Sequence, residues 1–99
     1  MQLYVIRRPS AWATIPDLQL TGEISAQVGD QMPDKVRWIR SYVVHEPDGR
    51  IGTFCIYEAV DGDAIREHAD KVGMPGEEFY PVAQTVIIRP DPVHTAAAA

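Results

Sequence analysis

The chain has 99 residues, a formal net charge of −5 and one cysteine, Cys55. This length gives room for a single domain with a modest core. An acidic surface repels phosphate backbones, which argues against a nucleic-acid partner. One cysteine excludes an intrachain disulfide and a thiolate zinc site. Neither a signal peptide nor an apolar run of roughly 18 residues is present, so we predict a cytoplasmic protein without a membrane partner.

The first third of the chain predicts a strand followed by a helix. Residues 3–6 are a short run of β-formers that ends at two arginines and a proline. Residues 10–15 are predicted to be a connection, and Pro16 with Asp17 is typical of a helix start. Residues 29–34 close this helix with turn formers. The apolar residues expected on one helix face are Leu18, Ile24 and Val28.

The rest of the chain predicts a hairpin, a second helix and a last strand. Residues 36–44 and 53–59 are strands joined by the Glu-Pro-Asp-Gly turn at residues 46–49. Asp61 is suited to cap the second helix, and Gly73 is suited to end it. The last strand is predicted over residues 79–89. Four residues of the second helix form one stripe: Ile65, His68, Ala69 and Val72.

The element order β-α-β-β-α-β predicts an α+β protein with the ferredoxin-like fold. Such a domain, over residues 1–89, has one four-stranded antiparallel sheet with both helices on one face. Residues 90–99 are predicted to form a flexible tail. The other sheet face would be bare and apolar, which is typical of an interface. We therefore predict a homodimer in which two sheets pack face to face as a dimeric α+β barrel.

Five residues on the hairpin strands are candidates for a ligand pocket. Trp38, Arg40 and Tyr42 alternate along one strand, and Cys55 and Tyr57 alternate along the other, so each set is expected to share a face. Aromatic rings around one charge suit a cavity for an anionic ligand. The same residue types are also typical of a packed dimer interface. The sequence leaves both interpretations open.

His68 is the candidate metal ligand or acid–base group, because imidazole serves both roles near neutral pH. Its place on an apolar stripe equally suits a core histidine with one hydrogen-bond partner. Glu58 shares its strand face with apolar residues and needs a partner if it is buried. Arg40 is a candidate partner in one hairpin register, but it lies opposite Tyr57 in another, and the sequence does not decide between them.

Three stretches of this sequence resemble a family of small bacterial domains of unknown function. They are VRWIRSYV at residues 36–43, FCIYEA at residues 54–59 and REHADKVGMP at residues 66–75. One branch of that family is described as nickel-binding, with a ferredoxin-like fold and a dimeric α+β barrel. The resemblance implies a small accessory protein that binds Ni²⁺ or another divalent metal, with His68 and Glu58 as ligands at matched positions.

A second function fits the same fold. Ferredoxin-like dimeric barrels also act as cofactor-independent enzymes or ligand-binding proteins, with a cavity between helices and sheet. A third possibility is an interaction module without a site of its own. No catalytic residue is predicted, because the chain has no P-loop, nucleophile elbow or zinc-protease motif. Arg7 and Arg8 would oppose a metal placed beside them.

Overall fold

The computed structural model describes residues 1–93 and confirms the predicted element order. The elements are β1 (Gln2–Trp12), α1 (Ile15–Asp30), β2 (Val36–His45), β3 (Ile51–Ala59), α2 (Gly62–Val72) and β4 (Glu78–Pro81). The strands form one antiparallel sheet in the order β2-β3-β1-β4. This is the α+β ferredoxin-like arrangement. We call the sheet face covered by the two helices the helix face and the opposite one the open face.

The predicted bounds of α2 are confirmed, because a capping residue at each end determines where the helix begins and ends. The Asp61 carboxylate accepts a hydrogen bond from the backbone N–H of Ala64 at 2.8 Å. Gly73 takes a left-handed conformation with φ of 85°, and its N–H donates to the carbonyl of Ala69 at 2.8 Å. No helix within residues 1–93 is long and apolar enough to cross a membrane.

The predicted inward face of α1 is confirmed for Leu18 and Val28 but is wrong for Ile24. Ile24 is 39% exposed, whereas Ser25 is the buried residue of this helix. The inward face also carries small residues, including Gly22 near the centre of the helix and Gly29 near its end. Cβ atoms built on these two glycines would approach only Trp38 and His68, at 3.9 and 3.8 Å. Small side chains therefore leave space between α1 and the sheet.

Strand β1 continues beyond its predicted end. The alternation of buried residues that starts at Tyr4 and Ile6 extends to Arg8, which lies opposite Thr53 of β3. A bulge follows, because the next pairing joins Trp12 to Ile51. Proline in this bulge has no N–H to donate to the ladder, which explains why the pairing is interrupted there. The first half of the predicted connection over residues 10–15 thus belongs to β1, and Ile15 already begins α1.

Strand β2 contains a second bulge, at Ile39. Trp38 pairs with Tyr57, but Arg40 pairs with Ile56, so two steps on β2 match one step on β3. A strand reverses the direction of its side chains at every residue, and one extra residue reverses the assignment of all that follow. The hairpin register that the sequence left open is settled by this bulge.

Strand β4 is much shorter than predicted. It pairs with β1 over four residues, ending where Pro81 lies opposite Tyr4, and the N–H of Val82 donates to the carbonyl of Leu3 at 2.8 Å. The pairing with β1 does not continue beyond Val82. Residues 83–89 form no regular structure. Of the predicted tail, residues 94–99 lie outside the described part of the chain.

A candidate anion-binding cavity

The five predicted pocket residues do not share one face of the sheet. Trp38, Cys55 and Tyr57 lie on the helix face, where they line a common cavity. Arg40 and Tyr42 lie on the open face, because the bulge in β2 reverses their direction. The prediction that all five residues line one pocket is therefore wrong. It joined residues that the sheet separates.

The open-face pair contacts the segment that follows β4. Arg40 Nη1 donates to the phenol oxygen of Tyr42 at 3.4 Å, and that phenol donates to the carboxylate of Asp91 at 2.7 Å. These contacts hold part of the predicted tail beside the sheet. The same region has a wide groove of about 700 Å³.

Glu58 lies on the open face and forms an ion pair with Arg37, at 3.0 Å between Oε1 and Nη2. Arg37 is opposite Glu58 in the β2–β3 register. The predicted partner, Arg40, lies further along the strand. Because His68 projects from α2 toward the helix face, the sheet separates the two predicted metal ligands.

His68 is a buried core residue with 2% of its surface exposed. Its Nε2 lies 3.1 Å from the carbonyl oxygen of Ser25 in α1. A carbonyl only accepts, so Nε2 carries the proton and donates it. Burial lowers the pKa of His68, and the charge of Arg8 acts in the same direction, while the Ser25 hydrogen bond opposes both. His68 is thus a neutral group that joins the two helices.

The described residues do not fit a divalent metal. No three His, Cys, Asp or Glu side chains come together within residues 1–93. His68 already uses Nε2 in a structural hydrogen bond, and Glu58 is on the other side of the sheet. The positive charge of Arg8 acts on His68. It would repel a cation bound there. We derive no metal chemistry from this site.

Arg8 is the unexpected residue of the helix face. Its side chain is fully buried. Nε donates to the carbonyl of Pro75 at 2.7 Å, but Nη1 and Nη2 are buried without a hydrogen-bond partner among the described residues. The guanidinium carbon lies 5.8 Å from the centre of the Tyr57 ring. A guanidinium stays charged in proteins and offers five N–H donors in a planar fork, so the N–H groups of Nη1 and Nη2, four of the five, are unused.

Arg8 lines a cavity of about 200 Å³ between α1 and the sheet, which we call the Arg8 cavity. The walls are mainly apolar and aromatic. Among the described residues that line it there is no carboxylate, so Arg8 supplies the only formal charge. The principal wall residues are Trp12, Leu18, Trp38, Val43, Tyr57 and Met74.

Two hydroxyl groups of the lining have a proton to donate. Ser41 Oγ accepts a hydrogen bond from Trp38 Nε1 at 2.8 Å, and Thr53 Oγ1 accepts one from the Cys55 thiol at 3.3 Å. A hydroxyl that accepts still has its own hydrogen, which rotates to suit a partner. Together with Arg8 they add donors to a lining whose other polar side chains, Gln19, Thr21 and Ser25, are neutral.

Tyr57 separates the Arg8 cavity from a neighbouring one. Its ring stacks on Trp38 with centroids 6.0 Å apart, and its phenol is 3.1 Å from Ser25 Oγ. Burial raises the pKa of Tyr57 to about 12, against smaller opposing effects of Ser25 and Arg8. The second cavity, of about 380 Å³, lies on the other side and is lined by His68. Tyr57 is therefore neutral near pH 7 and adds no negative charge to the Arg8 cavity.

The sequence pattern indicates that Arg8 is buried, but the predicted first strand ended at residue 6 and so did not include it. Tyr4, Ile6 and Arg8 follow the two-residue period of a strand, so continuing the strand by two residues places Arg8 on the buried face. Ser41 and Thr53 had no such signal, because their direction depends on the bulge in β2 and on the register of β3.

The stability of the protein is expected to fall below pH 6.5 because of His68. In the unfolded chain this histidine takes up a proton near its ordinary pKa of 6.5, whereas in the folded protein its pKa is lower. The unfolded state then binds more protons, and the free energy of unfolding falls by at most about 1.4 kcal/mol per pH unit.

Urea unfolding between pH 7 and pH 5 measures this effect. The His68→Gln variant should lose the slope in this window, while His45→Gln, which changes an exposed histidine, should keep it. The carboxylates of Glu46 and Glu67 have pKa values lowered from 4.5, so their contributions are lost only at more acidic pH. A slope that survives in His68→Gln would contradict the assignment.

Comparison with known proteins places these features in a family context. The sequence profile of a family described as "Nickel responsive protein SCO4226-like" matches residues 4–82. The fold is similar to the crystal structure of SCO4226 from Streptomyces coelicolor A3(2), with a TM-score of 0.69, covering 85% of this chain and 99% of that one at 13% identity. At this identity the likeness supports the fold alone. No curated protein matches the sequence.

Proposed function

The chain belongs to the SCO4226-like family of nickel responsive proteins, and we propose that it is a binding protein for a small organic anion, which occupies the Arg8 cavity. The observation that carries the proposal is the buried guanidinium of Arg8 with two unpaired nitrogens. A buried charge without a partner is costly in free energy. An anion bound at Nη1 and Nη2 would neutralise that charge and use both free donors.

The surroundings of Arg8 support selection of an anion over a cation. Its charge is not balanced by any carboxylate of the described lining, and the Ser41 and Thr53 hydroxyls add donors. The Arg8 guanidinium itself is fully buried, and electrostatic attraction to a buried charge is stronger than to one at the surface. The apolar walls would bind the rest of the ligand, as in most small-molecule sites.

The family description makes nickel a second candidate ligand for this chain. His68 and Glu58 were its predicted ligands, and they lie on opposite faces of the sheet. Nickel sites use several imidazole and carboxylate groups around one ion, which the described residues do not bring together. Anion binding is therefore the function that this geometry supports better.

We expect a small carboxylate to raise the melting temperature of the wild-type protein but not of Arg8→Met. At about a hundred times its Kd a ligand adds about 2.7 kcal/mol, which for a domain of this size is on the order of 10 °C. Acetate, butyrate and benzoate at millimolar concentration are suitable probes. The control Arg40→Met removes the same charge from the open face and should leave the shift unchanged.

Nickel chloride belongs in the same melting assay. The proposal expects no rise in melting temperature with nickel in the wild type. A rise that His68→Ala abolishes, together with no response to any of the carboxylates, would replace anion binding by nickel binding as the function of this protein.

We also propose that a second copy of the chain covers the open face. Tyr42 and Phe54 are each 39% exposed there, and the nearby residues Val86, Ile87 and Ile88 are at least 72% exposed. Contiguous exposed apolar surface of this kind is typical of an interface. A second sheet packed on it would complete the predicted dimeric barrel.

Light scattering coupled to size exclusion tests this assembly. The wild type is expected at twice the chain mass of 11.0 kDa, and Ile88→Asp is expected as a monomer. Leu20→Asp changes an equally apolar and exposed residue on α1, so it should remain a dimer. A monomeric wild type at micromolar concentration would exclude the proposed dimer.

A further inference from the structure

We infer that the ligand of the Arg8 cavity is a monocarboxylate carried on a small, flat apolar body, such as an aromatic acid. This inference rests on the proposed function and names its ligand class. Three observations carry it: the geometry of the free donors on Arg8, the single charge of the cavity, and the shape and chemistry of its walls. Each of them limits the ligand in a different way.

The donor geometry favours a carboxylate. Because Nε of Arg8 is fixed on the Pro75 carbonyl at 2.7 Å, the plane of the guanidinium is set, and Nη1 and Nη2 form its free edge. Two parallel N–H groups match the two oxygens of a carboxylate, which is the usual bidentate partner of arginine. Because the guanidinium is already held in place, less side-chain entropy is lost when a ligand binds.

The charge of the cavity favours a monoanion. Arg8 supplies one positive charge, and no other charged side chain among the described residues lines the cavity. The other polar side chains of the lining are neutral, among them the hydroxyls of Ser41 and Thr53. A phosphate ester near pH 7 carries up to two negative charges, so burying it here would leave one of them uncompensated. A single carboxylate leaves none.

The walls favour a flat and apolar ligand body. The rings of Trp38 and Tyr57 stack on each other with an interplanar angle of 6°, and both line the cavity, so together they form one aromatic wall. Trp12 adds a third ring, while its indole N–H is already bonded to Thr21 Oγ1 at 2.9 Å. Aromatic rings pack well in offset stacks and edge-to-face pairs. The volume of about 200 Å³ is below the roughly 300 Å³ at which sites for drug-sized ligands begin.

The two tryptophans of the chain, Trp12 and Trp38, both line the cavity. Their fluorescence is therefore a direct signal of occupancy, and calorimetry gives the affinity independently. The probes are benzoate, cyclohexanecarboxylate, acetate, benzamide and phenyl phosphate. They vary the flatness, the apolar body, the charge and the anion type one at a time.

We expect benzoate to change the tryptophan fluorescence and to bind at least tenfold tighter than each of the other four probes. Arg8→Met should abolish binding, and Arg8→Lys should weaken it at least tenfold, because an ammonium group does not reproduce the fork. Ser41→Ala should weaken binding several-fold. Since Ser41 is on β2, away from the Arg8–Pro75 hydrogen bond, this variant still tests the site if the Arg8 variants do not fold.

The outcomes separate this inference from the function on which it rests. If acetate or phenyl phosphate binds as tightly as benzoate and the binding depends on Arg8, the ligand class is wrong and anion binding stands. If benzamide equals benzoate, the charge is irrelevant and both proposals fail. If none of the anions binds the wild type, both proposals fail as well.

Discussion

Replacing Arg8 with methionine is expected to raise the free energy of unfolding of the ligand-free protein by about 1–3 kcal/mol. Methionine keeps most of the length and apolar volume of the side chain but removes a buried charge, whose desolvation costs several kcal/mol. The loss is the hydrogen bond from Nε to the Pro75 carbonyl, worth about 1.5–3 kcal/mol for a charged donor. Urea unfolding without added ligand measures the difference.

The neighbouring residue provides a matched control with the opposite sign. Arg7 is bound to both carboxylate oxygens of Glu46 at 2.8 Å, and its guanidinium lies 4.5 Å from the centre of the Phe54 ring. Arg7→Met leaves a carboxylate that is nearly buried without its ion-pair partner, so we expect a loss of about 1–3 kcal/mol. If Arg8→Met is destabilised as strongly as Arg7→Met, Arg8 is satisfied by the fold and needs no ligand.

The second large effect is expected at Gly52, in β3. A Cβ atom there would clash with the carboxylate of Glu46 and approach the backbone oxygen of Arg8 to 2.9 Å. Glu46 would have to leave both Arg7 and the N–H of Ser10, which donates to it at 2.9 Å. Overpacking and the lost charged hydrogen bonds together should destabilise Gly52→Ala by about 3–5 kcal/mol.

Thermal or urea unfolding of three variants tests this explanation. Gly22→Ala places a methyl group on α1 at ordinary van der Waals distance from Trp38, 3.9 Å, and should stay within about 1 kcal/mol of the wild type or gain stability. In a Glu46→Ala background, Gly52→Ala should destabilise less than it does alone, because the clashing carboxylate is gone. Equal effects in both backgrounds would show that Glu46 is not the residue that excludes a side chain at Gly52.

The fold was largely predictable because its elements carry strong local signals. Helix α2 has an apolar stripe, a capping aspartate and a terminal glycine, and its observed bounds follow these residues. The strand ends were less predictable. Pro9 is typical of the end of a strand, yet β1 continues past it through a bulge. Residues 86–88 are β-formers, yet the pairing of β4 with β1 ends before them.

The candidate site was only partly predictable, because one extra residue in β2 decides which side chains line the cavity. The bulge at Ile39 decides which residues of β2 face the helices, and nothing in the local sequence marks it. Trp38 and Tyr57 were identified, but Arg40 and Tyr42 were assigned to the wrong side. The importance of Arg8 rests on the partners that it lacks, which become visible only in three dimensions.

The bulge at Ile39 has a consequence for how the protein behaves at high concentration. Strand β2 forms an outer edge of the sheet and has no strand beyond it within residues 1–93. Its ten residues are rich in Val, Ile and aromatic side chains, which is the composition of an edge prone to amyloid-like growth. The bulge makes this edge irregular, which hinders regular pairing with a strand of another molecule. We therefore expect the bulge that sets the lining of the Arg8 cavity also to limit edge-to-edge association of the chain.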